Sequence, residues 1–201
     1  MLKKTLLVLP LVVSLTVTHT AAQSPEACAA ISDPNERLSC YDALYQKVET
    51  PQQVGAWRVQ RTKSQLDDSE RVVLSLESET PVRGRFGSPG PANMHIRCEE
   101  NTTSIFFQFN ELFMASIQSY GRVDYRIDSN PPAHINMRES TSNMALGLWR
   151  GNESIPFIRR LLGAGSLYVR ATPYNESRVE TTFNVSGLDD AIKPLRAACN
   201  W

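Results

Sequence analysis

Two zones separate by the period of their apolar residues. From Leu38 to Val48 these recur every three to four positions, as Leu38, Tyr41, Leu44 and Val48, which is the spacing of one helical face. After Pro51 the period drops to two. Trp57 and Val59 alternate with Arg58 and Gln60, and Val72, Leu74 and Leu76 alternate with Val73, Ser75 and Glu77. The turn residues Asp67-Asp68-Ser69 lie between them, so the pair predicts a β-hairpin. Met94, Ile96 and Cys98 share one face of a further strand, and Asn101-Thr102 can turn the chain into Ile105, Phe107 and Phe109. Val123, Tyr125 and Ile127 alternate strictly with Arg122, Asp124, Arg126 and Asp128, and Ile135 with Met137 suggests another strand. Leu167, Val169 and Ala171, then Val179, Thr181, Phe183 and Val185, flank the turn Pro173-Tyr174-Asn175-Glu176. Gly84 to Pro91 holds three glycines and two prolines and reads as a loop, whereas Leu112 to Tyr120 fits helix and strand equally.

Helix starts stand out against this β pattern. Ser24-Pro25-Glu26 and Asp33-Pro34-Asn35-Glu36 each place a capping side chain before a proline at the first helical position. Ser154-Ile155-Pro156 opens a helix carrying Phe157, Ile158, Leu161 and Leu162 and stopped by Gly163. A last helix has Leu188, Ile192, Leu195 and Cys199 on one stripe, and it must begin or kink at Pro194. The fold class predicted is mainly β: an antiparallel β-sandwich or barrel-like domain with an N-terminal helical hairpin and one or two packed helices.

The first residues read as an address. Lys3 and Lys4 precede an apolar run from Leu6 to Val17, closed by Thr20-Ala21-Ala22, the pattern of a cleavable secretory signal peptide over 1–22. The run is too short to span a bilayer, which takes roughly 20 residues. The organisation that follows is a helical hairpin at 23–48, a linker at 49–55 and a β domain at 56–201 with its C-terminal helix. Cleavage after Ala22 removes two lysines, leaving 19 basic residues against 21 acidic ones. So balanced a chain has no strong field for nucleic acid or anionic membranes.

An exported chain keeps its cysteines oxidised, and its four permit three pairings. Cys28 and Cys40 lie twelve apart around the Ser32-Asp33-Pro34 turn, so a local bridge clamps the hairpin. Cys98 is then left for Cys199, whose helix stripe faces the same core. A metal site is the rival reading, but the spacing lacks Cys-x-x-Cys and the mature chain has only His95 and His134. No cofactor and no metal are expected.

No nucleophile elbow, zinc-protease helix or phosphate loop occurs, so no catalytic residue is assigned. His95 beside Arg97 could act as a base, although a strand histidine is more commonly a hydrogen-bonded surface residue. The pairs Asp67-Asp68 and Asp189-Asp190 fit turn and helix-start roles. The polar constellation that stands out is Arg122, Asp124, Arg126 and Asp128 on one strand face, with Arg97, His95 and Arg170 expected on neighbouring strands. It reads either as a cross-strand salt-bridge ladder or as a recognition surface. Trp149 and Tyr174 at or near loops, and Glu176 beside the latter, complete the candidate partner surface, with burial as the other reading for Trp149. Four glycosylation sequons, at Asn101, Asn152, Asn175 and Asn184, are read as chance or turn residues.

Several runs in order, Asp67-Asp68-Ser69, Ile96-Arg97-Cys98-x-x-Asn101-Thr102-Thr103, Tyr125-Arg126-Ile127-Asp128, Ala145-Leu146-Gly147-Leu148-Trp149 and Val169 to Glu176, resemble the VasI family of type VI secretion-associated proteins. The resemblance spans about Trp57 to Leu188. The preceding Arg37-Leu38-x-Cys40-Tyr41-Asp42 resembles a module of bacterial envelope proteins. The resemblance implies a periplasmic accessory of a contractile secretion apparatus, peripheral to the membrane at most, and it supplies no catalytic residues. Two functions follow as expectations. One is a non-catalytic protein that binds protein components of the envelope or secretion apparatus. The alternative is a carbohydrate- or peptidoglycan-binding module or small cell-wall hydrolase using paired acids such as Asp128 and Glu176.

Overall fold

A computed structural model describes residues 24–45 and 51–201, which form two compact units. The signal-peptide reading, Val48 of the helical stripe and residues 49–50 of the linker lie outside the described residues.

The first unit is a helical hairpin, α1 (Pro25–Ala29) and α2 (Pro34–Tyr45). The Ser24 hydroxyl accepts from Ala27 N–H at 3.2 Å, and Asp33 Oδ1 accepts from Asn35 and Glu36 N–H at 2.9 and 3.0 Å, so both starts rest on the capping side chains seen in the sequence. A disulfide joins Cys28 to Cys40 with Cα atoms 5.4 Å apart. Two such short helices bury little. Leu38 is 60% exposed, so the helical stripe is not a buried face, and the covalent clamp substitutes for a core.

The second unit is a sandwich. Its larger sheet contains β1 (Gln52–Val54), β2 (Trp57–Lys63) and β3 (Glu70–Glu77). After a small ribbon of β4 (Val82–Arg83) and β5 (Pro89–Gly90) it continues with β6 (Ala92–Glu99) and β7 (Thr102–Phe109). The smaller sheet begins with β8 (Arg122–Ile127) and β9 (Ala133–Asn136), and β10 (Arg138–Glu139) and β11 (Leu146–Leu148) return to the larger one. After α3 (Gly151–Leu161) come β12 (Ser166–Ala171) and β13 (Val179–Asn184), then α4 (Leu188–Ala191) and α5 (Lys193–Ala198). The sheet orders are β1-β2-β3-β6-β7-β11-β10 and β13-β12-β8-β9, every pairing antiparallel and neither sheet closed into a barrel.

Period two becomes sandwich geometry because each strand sends one set of side chains inward. Val72, Leu74, Met94, Ile96, Ile105 and Phe107 from the larger sheet meet Val123, Leu167, Val169 and Phe183 from the smaller one in a single core. Phe107 and Phe183 touch across it with ring centroids 5.8 Å apart, and the buried Trp57 donates its indole N–H to Val185 O at 3.4 Å. A disulfide joins Cys98 on β6 to Cys199 after α5, Cα atoms 5.8 Å apart.

Three local expectations are corrected and one holds. Gln52–Val54, read as linker, pairs with β2 as an edge strand. The last helix breaks at Pro194 as expected, into α4 and α5, because Pro194 at the start of α5 cannot continue the hydrogen bonding of α4. Helix α3 starts a turn earlier than Ser154, whose buried hydroxyl donates to Thr103 O at 2.7 Å and fastens the first turn to β7. Leu112 to Tyr120 is neither a regular helix nor a strand but an irregular loop with one 3₁₀ turn at Ile117–Ser119.

Candidate functional site

The charged alternation of β8 lies on the outer face of the smaller sheet, because Val123, Tyr125 and Ile127 take the inner one. Asp124 is held between two arginines: Arg122 Nε donates to Oδ1 at 2.9 Å, and Arg170 Nη2, directly across on β12, donates to Oδ2 at 2.8 Å. The hydrogen bond from Arg170, then that from Arg122, holds the Asp124 carboxyl below the usual carboxylate range. Arg126 turns away and donates to the Asn130 and Ser129 carbonyls, and Tyr168 OH donates to Glu180 at 2.6 Å.

Three expected members stand elsewhere. Asp128 is one residue past the end of β8 at φ +50°, off the ladder face, and its Oδ1 accepts from Gly165 and Ser166 N–H at 3.0 and 2.8 Å. Its carboxylate is therefore a turn cap. An Asp128→Ala variant is expected to lose about 1 kcal/mol, read as a thermal midpoint lower by about 3 °C. Arg97 and His95 are on β6, hence on the outer face of the other sheet, because β6 pairs with β3 and β7 and never with β8. There Arg97 pairs with Glu99 at 3.1 Å and lies over the Phe106 ring.

His95 is part of a packed row. Its ring stacks on Phe106 at 4.9 Å, and Phe106 stacks on Trp149 at 5.2 Å. Nε2–H donates to Gln108 Oε1 at 3.0 Å, which leaves Nδ1 to accept from Ser75 Oγ–H at 2.9 Å. Trp149 is half-buried, its indole N–H given to Arg138 O at 2.9 Å. Gly147 makes the row possible, since a Cβ there would meet Phe106 Cβ at 2.7 Å and Trp149 Cζ2 at 2.9 Å.

Burial, with a smaller contribution from Arg97, pushes the His95 ring below its ordinary value of 6.5, against the Gln108 hydrogen bond. Above that value both folded and unfolded rings are neutral, and the contribution to stability is fully present. As the pH falls through 6.5 the unfolded chain takes up a proton that the folded ring refuses, and stability is lost until the folded ring itself titrates. The drop in thermal midpoint between pH 7 and 5.5 should be smaller for His95→Gln than for the wild type.

Tyr174 is exposed in the loop after β12, as expected, and Glu176 is exposed beside it. Sequence reading did not single out the company Tyr174 keeps. Its ring meets Phe113 edge-on at 6.2 Å and Tyr120 at 5.3 Å, and its N–H donates to Phe113 O at 2.9 Å. Phe113 and Tyr120 both come from the segment left open between helix and strand; only its apolar content without a period marked it. Tyr120, Arg122, Asp124, Arg170 and Arg178 together line a groove of about 270 Å³, so the ring cluster and the charged ladder are continuous.

Among the described residues no group of His, Cys, Asp and Glu could hold a metal ion, and no helix is long and apolar enough to cross a membrane. Fold and site together define an open β-sandwich, stapled by a long-range disulfide, with a mixed charged and aromatic surface. The family model described as Type VI secretion system VasI, EvfG, VC_A0118 matches residues 27–201, so the chain belongs to the VasI family and is a type VI secretion-associated protein. No curated protein matches the sequence. Among solved structures, the crystal structure of invasion associated protein b from Bartonella henselae aligns at 10% identity and a TM-score of 0.48, covering 75% of this chain and 99% of that one.

Proposed function

We propose that this chain is a periplasmic, non-catalytic accessory protein of a type VI secretion system that binds a component of the envelope or secretion apparatus. The observation that carries the reading is the Phe113–Tyr174–Tyr120 cluster, exposed at Phe113 and Tyr174 and joined through Tyr120 to the Arg122–Asp124–Arg170 ladder, a mixed aromatic and arginine surface of the composition that protein interfaces favour. The two disulfides support an oxidising compartment. The commitments of the polar groups support a binding role rather than chemistry: both ring nitrogens of His95, the Asp128 carboxylate and the Asp124 carboxylate are each engaged in holding structure.

The test is crosslinking of intact cells that express the tagged full chain together with its secretion system, followed by purification of the envelope. Recovery of a secretion-apparatus or envelope component, at levels absent from cells lacking the tagged chain, is the expected result. Recovery of no such component, or fractionation of the mature chain into the cytoplasm, overturns the reading.

A further inference from the structure

The loop from Asn110 to Ser119 is built against local preference. Four of its non-glycine residues have positive φ, in two consecutive pairs at its ends: Asn110 at +45° and Glu111 at +64°, then Gln118 at +48° and Ser119 at +71°. Each such residue costs on the order of 1 kcal/mol and persists only where surrounding contacts impose it. Those contacts are present. Leu112, Met114 and Ala115 are buried, Met114 N–H donates to Asn143 O at 2.7 Å, and Asn143 Nδ2 returns a bond to Met114 O. Held this way, the loop turns Phe113 and Ile117 outward at 41% and 56% exposure, and the Phe113 ring meets that of Tyr174, itself 37% exposed. A rigid apolar patch fixed in advance of binding avoids the ordering cost of a flexible one.

The charge beside the patch has a sign. The groove that Tyr120 walls holds three arginines, Arg122, Arg170 and Arg178, against the single carboxylate of Asp124. Asp124 is shared by the first two, and Arg178 has no side-chain partner among the described residues. On its other side Arg178 faces a second hollow of about 490 Å³ that adds Arg83 and Arg85 against Glu176 and Glu180, so the surplus remains positive across the ridge. Resting on the binding role proposed above, we infer that this patch and groove dock a short segment of a partner protein in which an apolar side chain is followed closely by Asp or Glu. The apolar side chain packs on Phe113 and Tyr174, and the carboxylate pairs with Arg178 and Arg122.

Two other occupants fit less well. A sugar stacks on a flat aromatic face, whereas these rings meet edge-on and tilted and leave Ile117 as part of the surface. An anionic lipid surface is held by clusters of about four to eight basic residues, whereas the arginines here are interleaved with the carboxylates of Asp124, Glu176 and Glu180, which such a surface repels.

The experiment places p-benzoylphenylalanine at position 117 or 174 of the full exported chain in cells carrying the secretion system. Position 60 on the outer face of the larger sheet serves as control. The expected result is one common adduct from 117 and 174, at least about tenfold above position 60, whose crosslinked partner peptide carries Asp or Glu within a few residues of an apolar one. Arg178→Glu lowers its yield about tenfold and Arg178→Lys retains it, while the thermal midpoint of each variant stays within about 2 °C of wild type because the side chain is exposed. Adducts no stronger than at position 60, a partner peptide without acidic residues, or a yield unmoved by Arg178→Glu each overturn the inference. So does Arg178-dependent sedimentation of the purified mature chain with peptidoglycan sacculi or with phosphatidylglycerol vesicles. If these crosslinks fail while the whole-cell crosslinking above still recovers a component, the docking site is wrong and the binding role stands.

Discussion

Replacing Cys98 and Cys199 together by serine is expected to lower the unfolding free energy of the β unit by about 4 kcal/mol. The bridge spans 101 residues, and in the chain-entropy model closing a loop of that size restrains the unfolded chain by about 4.7 kcal/mol. Part of the native anchoring survives its loss. Ile192 and Leu195 stay buried, and the Trp201 indole still donates to Thr103 Oγ1 at 2.9 Å, so the C-terminal helix remains docked in the folded state. The deficit therefore falls on the equilibrium and not on the native contacts. Urea unfolding followed by tryptophan fluorescence reads it as a lower midpoint with preserved native far-ultraviolet dichroism; an unchanged midpoint would show that the bridge does not contribute. Serine at Cys28 and Cys40 supplies the contrast. Those residues close a separation of only 12 within the helical hairpin, so that change should melt the hairpin and leave the midpoint of the β unit where it was.

Phe107→Ala should cost about 3–5 kcal/mol, while Phe106→Ala, one position along the same strand, should cost about 1–2 kcal/mol. Phe107 is fully buried between the sheets against Phe109 and Phe183, where removing the ring leaves a cavity that two rigid sheets cannot close. Phe106 points out of the sandwich. It loses its stacks on His95 and Trp149, but solvent refills the space. Guanidinium unfolding of the two variants side by side measures the difference, and equal losses would mean that the outer row is as closed as the core.

The placement of functional groups shows where periodicity stops being informative. Val123, Tyr125 and Ile127 alternate with Arg122, Asp124 and Arg126, and the alternation survives intact in the structure, since β8 must bury one face and leave the other wet. Alternation cannot say which strand lies alongside. Arg170 does face Asp124, but His95 and Arg97, with the same polar-face signature, belong to the other sheet. Asp128 continues the pattern on paper and leaves it in space, because the strand ends at Ile127 and a positive φ aims its carboxylate at Gly165 and Ser166. Trp149 does follow the end of β11 at Leu148, as read, but a strand of three residues is too short for a period to show that its ring returns onto Phe106.

Legible in the chain before folding were the strand-rich class, the helical hairpin with its caps, both cysteine pairings and the resemblance that the family match bore out. Each of these depends on local spacing, on turn and cap chemistry, or on runs of residues that survive without knowledge of their neighbours. Only the packing of distant segments decides which outer face each polar residue occupies, that Phe113, Tyr120 and Tyr174 meet where Tyr120 lines a groove with Arg122 and Arg178, and that His95 stacks in a row of rings. Those facts rest on sheet order and on a loop held in unfavourable backbone angles by distant hydrogen bonds, and contacts between residues far apart in the chain leave no period to read.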